Sequence, residues 1–287
     1  MVSSPSNIGF HCHSLADLDE AILSNGLKRG EFYNFPVGDL PYLYRRISEQ
    51  DLVVSIHSPL ERLDWYPSPP TFTFLCDADV KQRWLSLRMI EVTMQRAQDF
   101  NAEYVVVHFP SPQGNGSDGM SYDDAFEIAW HSAMLLQEMS EEYETPIHIE
   151  GFGPSPFLNT GFLIKVITEF PGLRYCFDAG HMHIASKQFG FDLYQFACDI
   201  APHVGSMHIW NNRGIDDYRN FRHIPVHPRQ DPREGWVDIP RLMNLILSEN
   251  DNCRIILESG LRYPLELGGY DIREGVKWVR DIVSRSS

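Results

Sequence analysis

Apolar residues in this chain follow two recurring patterns. Short runs such as LVVSIH, YVVVHF and RIILE have strand length and are rich in β-branched residues. Between them lie longer stretches whose apolar positions recur every three or four residues, as on one face of a helix. Taken in order, the runs predict strands at Asn7–Cys12, Glu31–Phe35, Leu52–His57, Tyr104–Phe109, Pro146–Glu150, Arg174–Asp178, Val204–Trp210 and Arg254–Glu258. The amphipathic stretches predict helices near Leu15–Asn25, Leu40–Gln50, Ala78–Phe100, Tyr122–Tyr143, Leu158–Glu169, Leu193–Ile200, Pro240–Ser248 and Asp271–Val283. Eight such alternations, with no linker or low-complexity break, point to an α/β fold in which parallel strands close on themselves. The expectation is a single (β/α)8 TIM barrel spanning residues 1–287, with a metal site at its C-terminal mouth. The rival, a doubly wound open sheet, would bring a glycine-rich phosphate-binding turn after its first strand. GFHCHS does not have that pattern.

Six runs end on a side chain able to bind metal or move a proton: His57, His108, Glu150, Asp178, His208 and Glu258. In a parallel barrel those ends share one mouth, where the active sites of such barrels sit. Any one of these residues alone would be read as a satisfied core histidine or a helix-capping carboxylate. Six at equivalent strand ends describe a divalent-metal centre and an enzyme. Residues two positions earlier, Ser55, Val106, His148, Cys176, Ser206 and Ile256, suit the next interior layer, where His148 and Ser206 need polar partners.

Imidazole and carboxylate groups select Zn²⁺ and also suit Mn²⁺ and Fe²⁺. Carboxylates can bridge two cations, so a mixed set favours paired metals that activate water. Further candidates follow the strands: His181 lies three residues after Asp178, and HIPVHP supplies His223 and His227, between which the sequence does not choose. His11 is a candidate for lining the pocket; His13, His131, His183 and His203 are read as structural. Three connections are long: Ser58–Asp79, Pro110–Ser121 and Asn211–Trp236. The first is aromatic, and Trp65 is its candidate for a wall on which substrate stacks; its aromatics could equally cap the helices from outside.

Composition narrows the partners. A net charge of −15 with no long basic run disfavours DNA and leaves a small phosphorylated or sugar substrate. Five cysteines without a C-x-x-C spacing argue against a disulfide framework. With no apolar segment of spanning length and no signal-like N-terminus, the expectation is a cytoplasmic protein without a membrane partner.

The ordered segments VVSIHSPL, VVVHFPS, IHIEGFG, YCFDAGHMHIA, SMHIWNNRG, HIPV…EGWVDI and IILESG resemble the xylose-isomerase-like TIM-barrel superfamily, which includes endonuclease IV and many sugar isomerases and epimerases. Resemblance to endonuclease IV implies phosphoester hydrolysis on two or three zinc ions. His57, His108 and Glu150 would hold one, Glu150 would bridge to a second on Asp178, His208 and Glu258, and His181 with His223 or His227 would hold a third. That family places an Asp two residues before the histidine of its third site, where this chain has Phe221 or Pro225. Resemblance to the keto-sugar epimerases implies one ion on Glu150, Asp178, His208 and Glu258. Glu150 and Glu258 would then exchange a proton on opposite faces of an enediolate, with His181 and Arg213 holding substrate oxygens. The census of histidines places hydrolysis first, with His181 assisting the leaving group, and the isomerase or epimerase second.

Overall fold

The computed structural model describes residues 7–67, 69–109, 120–151 and 161–285. Its strands are β1 (Ile8–Cys12), β2 (Arg29–Phe32), β3 (Val53–His57), β4 (Val105–His108), β5 (Ile147–Glu150), β6 (Leu173–Asp178), β7 (Val204–Ile209) and β8 (Arg254–Leu257). They follow one another in chain order as a closed barrel, the fold expected from the alternating pattern. The helices are α1 (Leu15–Asp17), α2 (Leu40–Gln50), α3 (Val80–Asp99), α4 (Tyr122–Glu142), α5 (Phe162–Glu169), α6 (Ala179–Phe189), α7 (Leu193–Ile200), α8 (Ile215–Phe221), α9 (Ile239–Leu247) and α10 (Ile272–Arg285). Two compact units make up the chain: Glu31–Cys176, and Met1–Gly30 with Phe177–Ser287.

Within Glu31–Cys176, β3 to β6 pair in parallel, and the register sets His108 beside Glu150 and Val106 beside His148. Helix α3 starts on Asp79, whose carboxylate accepts the Lys81 N–H, and α4 starts on Ser121, whose hydroxyl accepts the Asp124 N–H. Both caps satisfy amide donors that the helix cannot. The His148 ring lies flat on Tyr104 at 4.1 Å, a buried contact that accommodates this polar interior residue. In the aromatic connection, Tyr66, Phe74 and Met89 form a buried cluster edged by Leu63, Phe72 and Leu85. Most of its aromatics therefore pack on α3.

Within the other unit, β7 pairs with β8 and β8 with β1, placing His208 beside Ile256 and Gly9 beside Ile256. Gly9 is required there: a Cβ would lie 2.6 Å from Arg29 Cγ and 2.9 Å from the Arg29 carbonyl oxygen. Helices α9 and α10 bury one face each, Ile239, Leu242, Met243 and Ile246 on α9 and Val276, Val279, Ile282 and Val283 on α10. Asn211 is fully buried and ties the long connection after β7 together. Its amide donates to Gln230 Oε1 and the Val237 carbonyl, and its Oδ1 accepts the Asn212 and Val237 N–H groups.

The predicted elements shift in places. The second strand is Arg29–Phe32 rather than Glu31–Phe35, because Asn34 turns left-handed (φ 53°) and ends it, while Arg29 is buried despite its charge. The first predicted helix is broken into α1, a π turn at Leu18–Ile22 and a 3₁₀ turn at Leu23–Asn25. The fifth helix begins at Phe162, and the predicted Leu158–Thr160 lies outside the described residues, as does most of the Pro110–Ser121 connection. Helices α6 and α8 were not anticipated, since GHMHIASK and IDDYRN carry too few apolar residues to read as amphipathic. Among the described residues no helix is long and apolar enough to cross a membrane.

The buried face of α6 includes His183, whose Nε2–H donates to the Gly235 carbonyl at 3.1 Å. Burial, and then the nearby Lys187 ammonium, push its pKa down to about 4. The unfolded chain takes up this proton near pH 6.5, so the stability tied to neutral His183 is present above that pH and is lost as pH falls toward 4. This residue should cost about 2 kcal/mol of unfolding free energy between pH 7 and pH 5. Urea melts of wild type and His183→Gln at both pH values check it; an equal loss in both proteins rejects the assignment.

Candidate metal centre

Two clusters of ligand-type side chains form at the strand ends, one in each unit. In Glu31–Cys176, His57 ends β3, His108 ends β4 and Glu150 ends β5, and each offers a ligand atom within 4.8 Å of the others. The Nδ1 of His57 lies 3.2 Å from the Ser58 carbonyl, and that of His108 lies 2.6 Å from the Thr71 carbonyl. A carbonyl only accepts, so both Nδ1 atoms carry hydrogen, and in the neutral rings Nε2 holds the lone pair. Those Nε2 atoms stand 3.3 and 3.4 Å from Glu150 Oε2. Lone pairs facing a carboxylate oxygen repel unless a cation lies among them. One metal ion would supply that positive charge, and a carbonyl-bonded Nδ1–H is the usual support of an Nε2 ligand.

In the unit with Phe177–Ser287, Asp178, His208 and Glu258 offer ligand atoms within 4.8 Å of one another. Asp178 caps α6, its Oδ1 accepting the His181 N–H at 2.5 Å, and its Oδ2 accepts the Trp210 indole N–H at 2.8 Å. His208 Nδ1 lies 3.1 Å from Glu258 Oε2 and 4.0 Å from Asp178 Oδ2. Glu258 Oε2 is buried yet makes no hydrogen bond among the described residues, so its approach to His208 is one of distance and charge. Converging ligand atoms have this relation when they share a cation. On the other oxygen, His11 Nδ1 stands 3.2 Å away and His223 Nδ1 3.9 Å. Burial alone would raise the Glu258 carboxyl, but His208, His223 and His11 outweigh it and hold the group well below the usual carboxylate range. The donor sets of both clusters fit a divalent cation of the zinc, manganese or iron type.

The profile of the xylose isomerase-like TIM barrel family matches residues 25–282. The chain belongs to that family. No curated protein matches it by sequence. Solved structures share its fold at low identity. A D-tagatose 3-epimerase-like protein is 16% identical over 97% of each chain, with a TM-score of 0.68. An L-ribulose 3-epimerase is 14% identical over 97% of this chain and 95% of its own, with a TM-score of 0.69. A Thermus thermophilus protein whose crystals were soaked with ZnCl₂ is 16% identical over 97% of this chain and 98% of its own, with a TM-score of 0.61.

Of the remaining candidates in this xylose isomerase-like barrel, His181 and His223 lie 5.3 Å apart at their ring centroids, both against Trp210. His223 donates its Nδ1–H to the Glu258 carbonyl at 3.0 Å. Between the two histidines of HIPVHP, His223 is thus the one beside Glu258. His227 does not reach either cluster: its Nε2 meets Glu274 at 3.0 Å, its Nδ1 accepts the Arg229 N–H, and its ring stacks on Tyr270. Arg213 pairs with Asp217 through Nε and Nη2 at 2.8 and 2.9 Å and covers the Trp236 ring. Trp65 is about one-third exposed, with the Arg88 guanidinium over its ring.

Sequence reasoning missed the residues that hold the candidate ligands. Trp210 and Thr71 carry no ligand chemistry of their own, and Thr71 acts through its carbonyl. Thr73 donates its hydroxyl to the His108 carbonyl at 2.5 Å, so the aromatic connection holds His108 at both its ring and its backbone. Only long-range proximity exposes these roles. Thr73→Val keeps the shape and removes the buried donor, and it should cost about 1–2 kcal/mol. The expected result is a lower urea midpoint at unchanged slope; an unaltered midpoint rules out the hold.

Proposed function

We propose that the protein is a divalent-metal-dependent isomerase or epimerase acting on a keto-sugar or sugar phosphate, with Asp178, His208 and Glu258 as ligands of the essential ion. The observation that carries this reading is the convergence of Asp178, His208 and Glu258, which each offer a ligand atom within 4.8 Å of the others. Epimerase folds among the similar structures support the same reading, which displaces the hydrolase that the histidine census favoured.

A divalent ion held by these residues would supply Lewis-acid chemistry, drawing electron density from the substrate carbonyl so that the adjoining C–H becomes more acidic. The chain's own contribution is proton transfer and positioning. Glu258 as carboxylate takes the C–H proton on one face, and a protonated group on the other face gives its own proton to the enediolate, the part that the family resemblance assigns to Glu150. Arg213, whose guanidinium Asp217 anchors through Nε and Nη2, is the proposed partner of a substrate oxygen. His181 offers its ring to a second oxygen. The proposed setting is the cytoplasm, with zinc, manganese or iron as the ion; a similar barrel from Mycobacterium smegmatis was solved in complex with magnesium.

A second reading, two-ion phosphoester hydrolysis, is favoured by His57, His108 and Glu150, whose Nε2 and carboxylate atoms also fit a cation. Under the isomerase reading these histidines orient Glu150. Incubation with a panel of keto-sugars in D₂O separates the two. The expected result is deuterium at the carbon beside the carbonyl, at least 100-fold less of it in Asp178→Asn, and no phosphodiesterase activity. Phosphodiester turnover lost in His57→Ala, with no exchange on any sugar, replaces the isomerase by the hydrolase.

A further inference from the structure

Trp210 heads the largest fully buried side chains of the described residues and stands one position past β7. Its indole N–H points at one acceptor, Asp178 Oδ2, at 2.8 Å. The same oxygen is the one nearest His208. An indole can donate but never accept, so this contact is satisfied only by an oxygen with an available lone pair. Together with the His181 N–H on Oδ1, it places one donor on each oxygen and fixes the plane of the carboxylate.

The surroundings hold the ring as tightly as the ring holds the carboxylate. A Cβ on Gly180 would fall 2.2–2.4 Å from Cε2, Cδ2 and Cζ2 of Trp210, so the indole lies directly on the first turn of α6. Asn212 donates to the Gly180 carbonyl at 3.1 Å and secures that turn. The His223 ring stacks on Trp210 at 4.2 Å and 15°, and His223 in turn donates to the Glu258 backbone. The indole therefore couples the end of β6 to the segment that carries Glu258.

We infer that Trp210 is a positioning residue: its indole N–H orients Asp178 as a ligand, and it sets cation affinity without touching cation or substrate. The inference rests on the reading of Asp178 as a metal ligand. Outer hydrogen bonds of this kind are worth roughly 10–100-fold in metal affinity. Trp210→Phe keeps the ring on Gly180 and removes only the donor, whereas Gly180→Ala keeps the donor and displaces the ring.

The test is Mn²⁺ titration by calorimetry on the metal-stripped protein, with circular dichroism confirming the fold of each variant. Trp210→Phe and Gly180→Ala should each weaken Mn²⁺ by about 10–100-fold at wild-type stoichiometry. Asp178→Asn should weaken it more. If Asp178→Asn binds like wild type, the ligand reading itself fails. If Asp178→Asn loses the ion while Trp210→Phe stays within about twofold of wild type, the ligand reading stands and the role of Trp210 is overturned. Should both the Trp210 and Gly180 variants fail to fold, ¹⁵N-indole spectra of wild type decide: substoichiometric Mn²⁺ broadens one buried indole N–H ahead of the others, and uniform or absent broadening overturns the proposal.

Discussion

A carboxylate taken out of water needs positive charge or hydrogen-bond donors beside it, at a cost otherwise of several kcal/mol. This barrel carries three at its strand ends, and each is compensated differently. Asp178 is held by N–H donors, from the His181 backbone and the Trp210 indole. Glu258 lies among the imidazoles of His208, His223 and His11, which hold its carboxyl well below the usual range. Glu150 faces His57 and His108, whose Nδ1–H groups are already committed to backbone carbonyls. The last arrangement suits a shared cation, since two Nε2 atoms and a carboxylate oxygen converge there.

The scaffolding around these carboxylates follows from the same constraint. Asp178 can cap α6 because the residue after Ala179 is glycine, leaving room for the Trp210 ring over the helix start. His108 keeps its orientation because the connection after β3 packs its aromatics on α3 and so delivers Thr71 and Thr73 to the right place. Asn211 performs the equivalent service after β7, where four hydrogen bonds from one buried amide shape a polar connection. Loops here support the candidate ligands that the strands present.

Much of this was legible in the sequence. Strand runs announce themselves because a barrel strand is buried on both faces, as VVVH and RIIL are. Helices with a wide apolar face, α9 and α10, were equally clear. Signals failed where buried residues are polar. Arg29 opens β2 against expectation, and α6 buries His181, His183 and Ser186, which pattern reading takes for surface. His223 and His227 stand four apart in one segment, yet one meets Glu258 and the other Glu274. No local property of HIPVHP separates them.

What the sequence determined by itself was the succession of strands and helices, and the rule that a parallel strand presents its last side chain at the same end as its neighbours. Both depend on burial periodicity and chain direction, which are local. The tertiary structure alone decided which nitrogen of His57 and of His108 is committed to the backbone, which oxygen of Asp178 meets an indole, and which imidazoles surround Glu258. These depend on approaches of a few tenths of an ångström between residues dozens of positions apart. Hydrogen bonding and charge are steep in distance, and sequence spacing carries no measure of it.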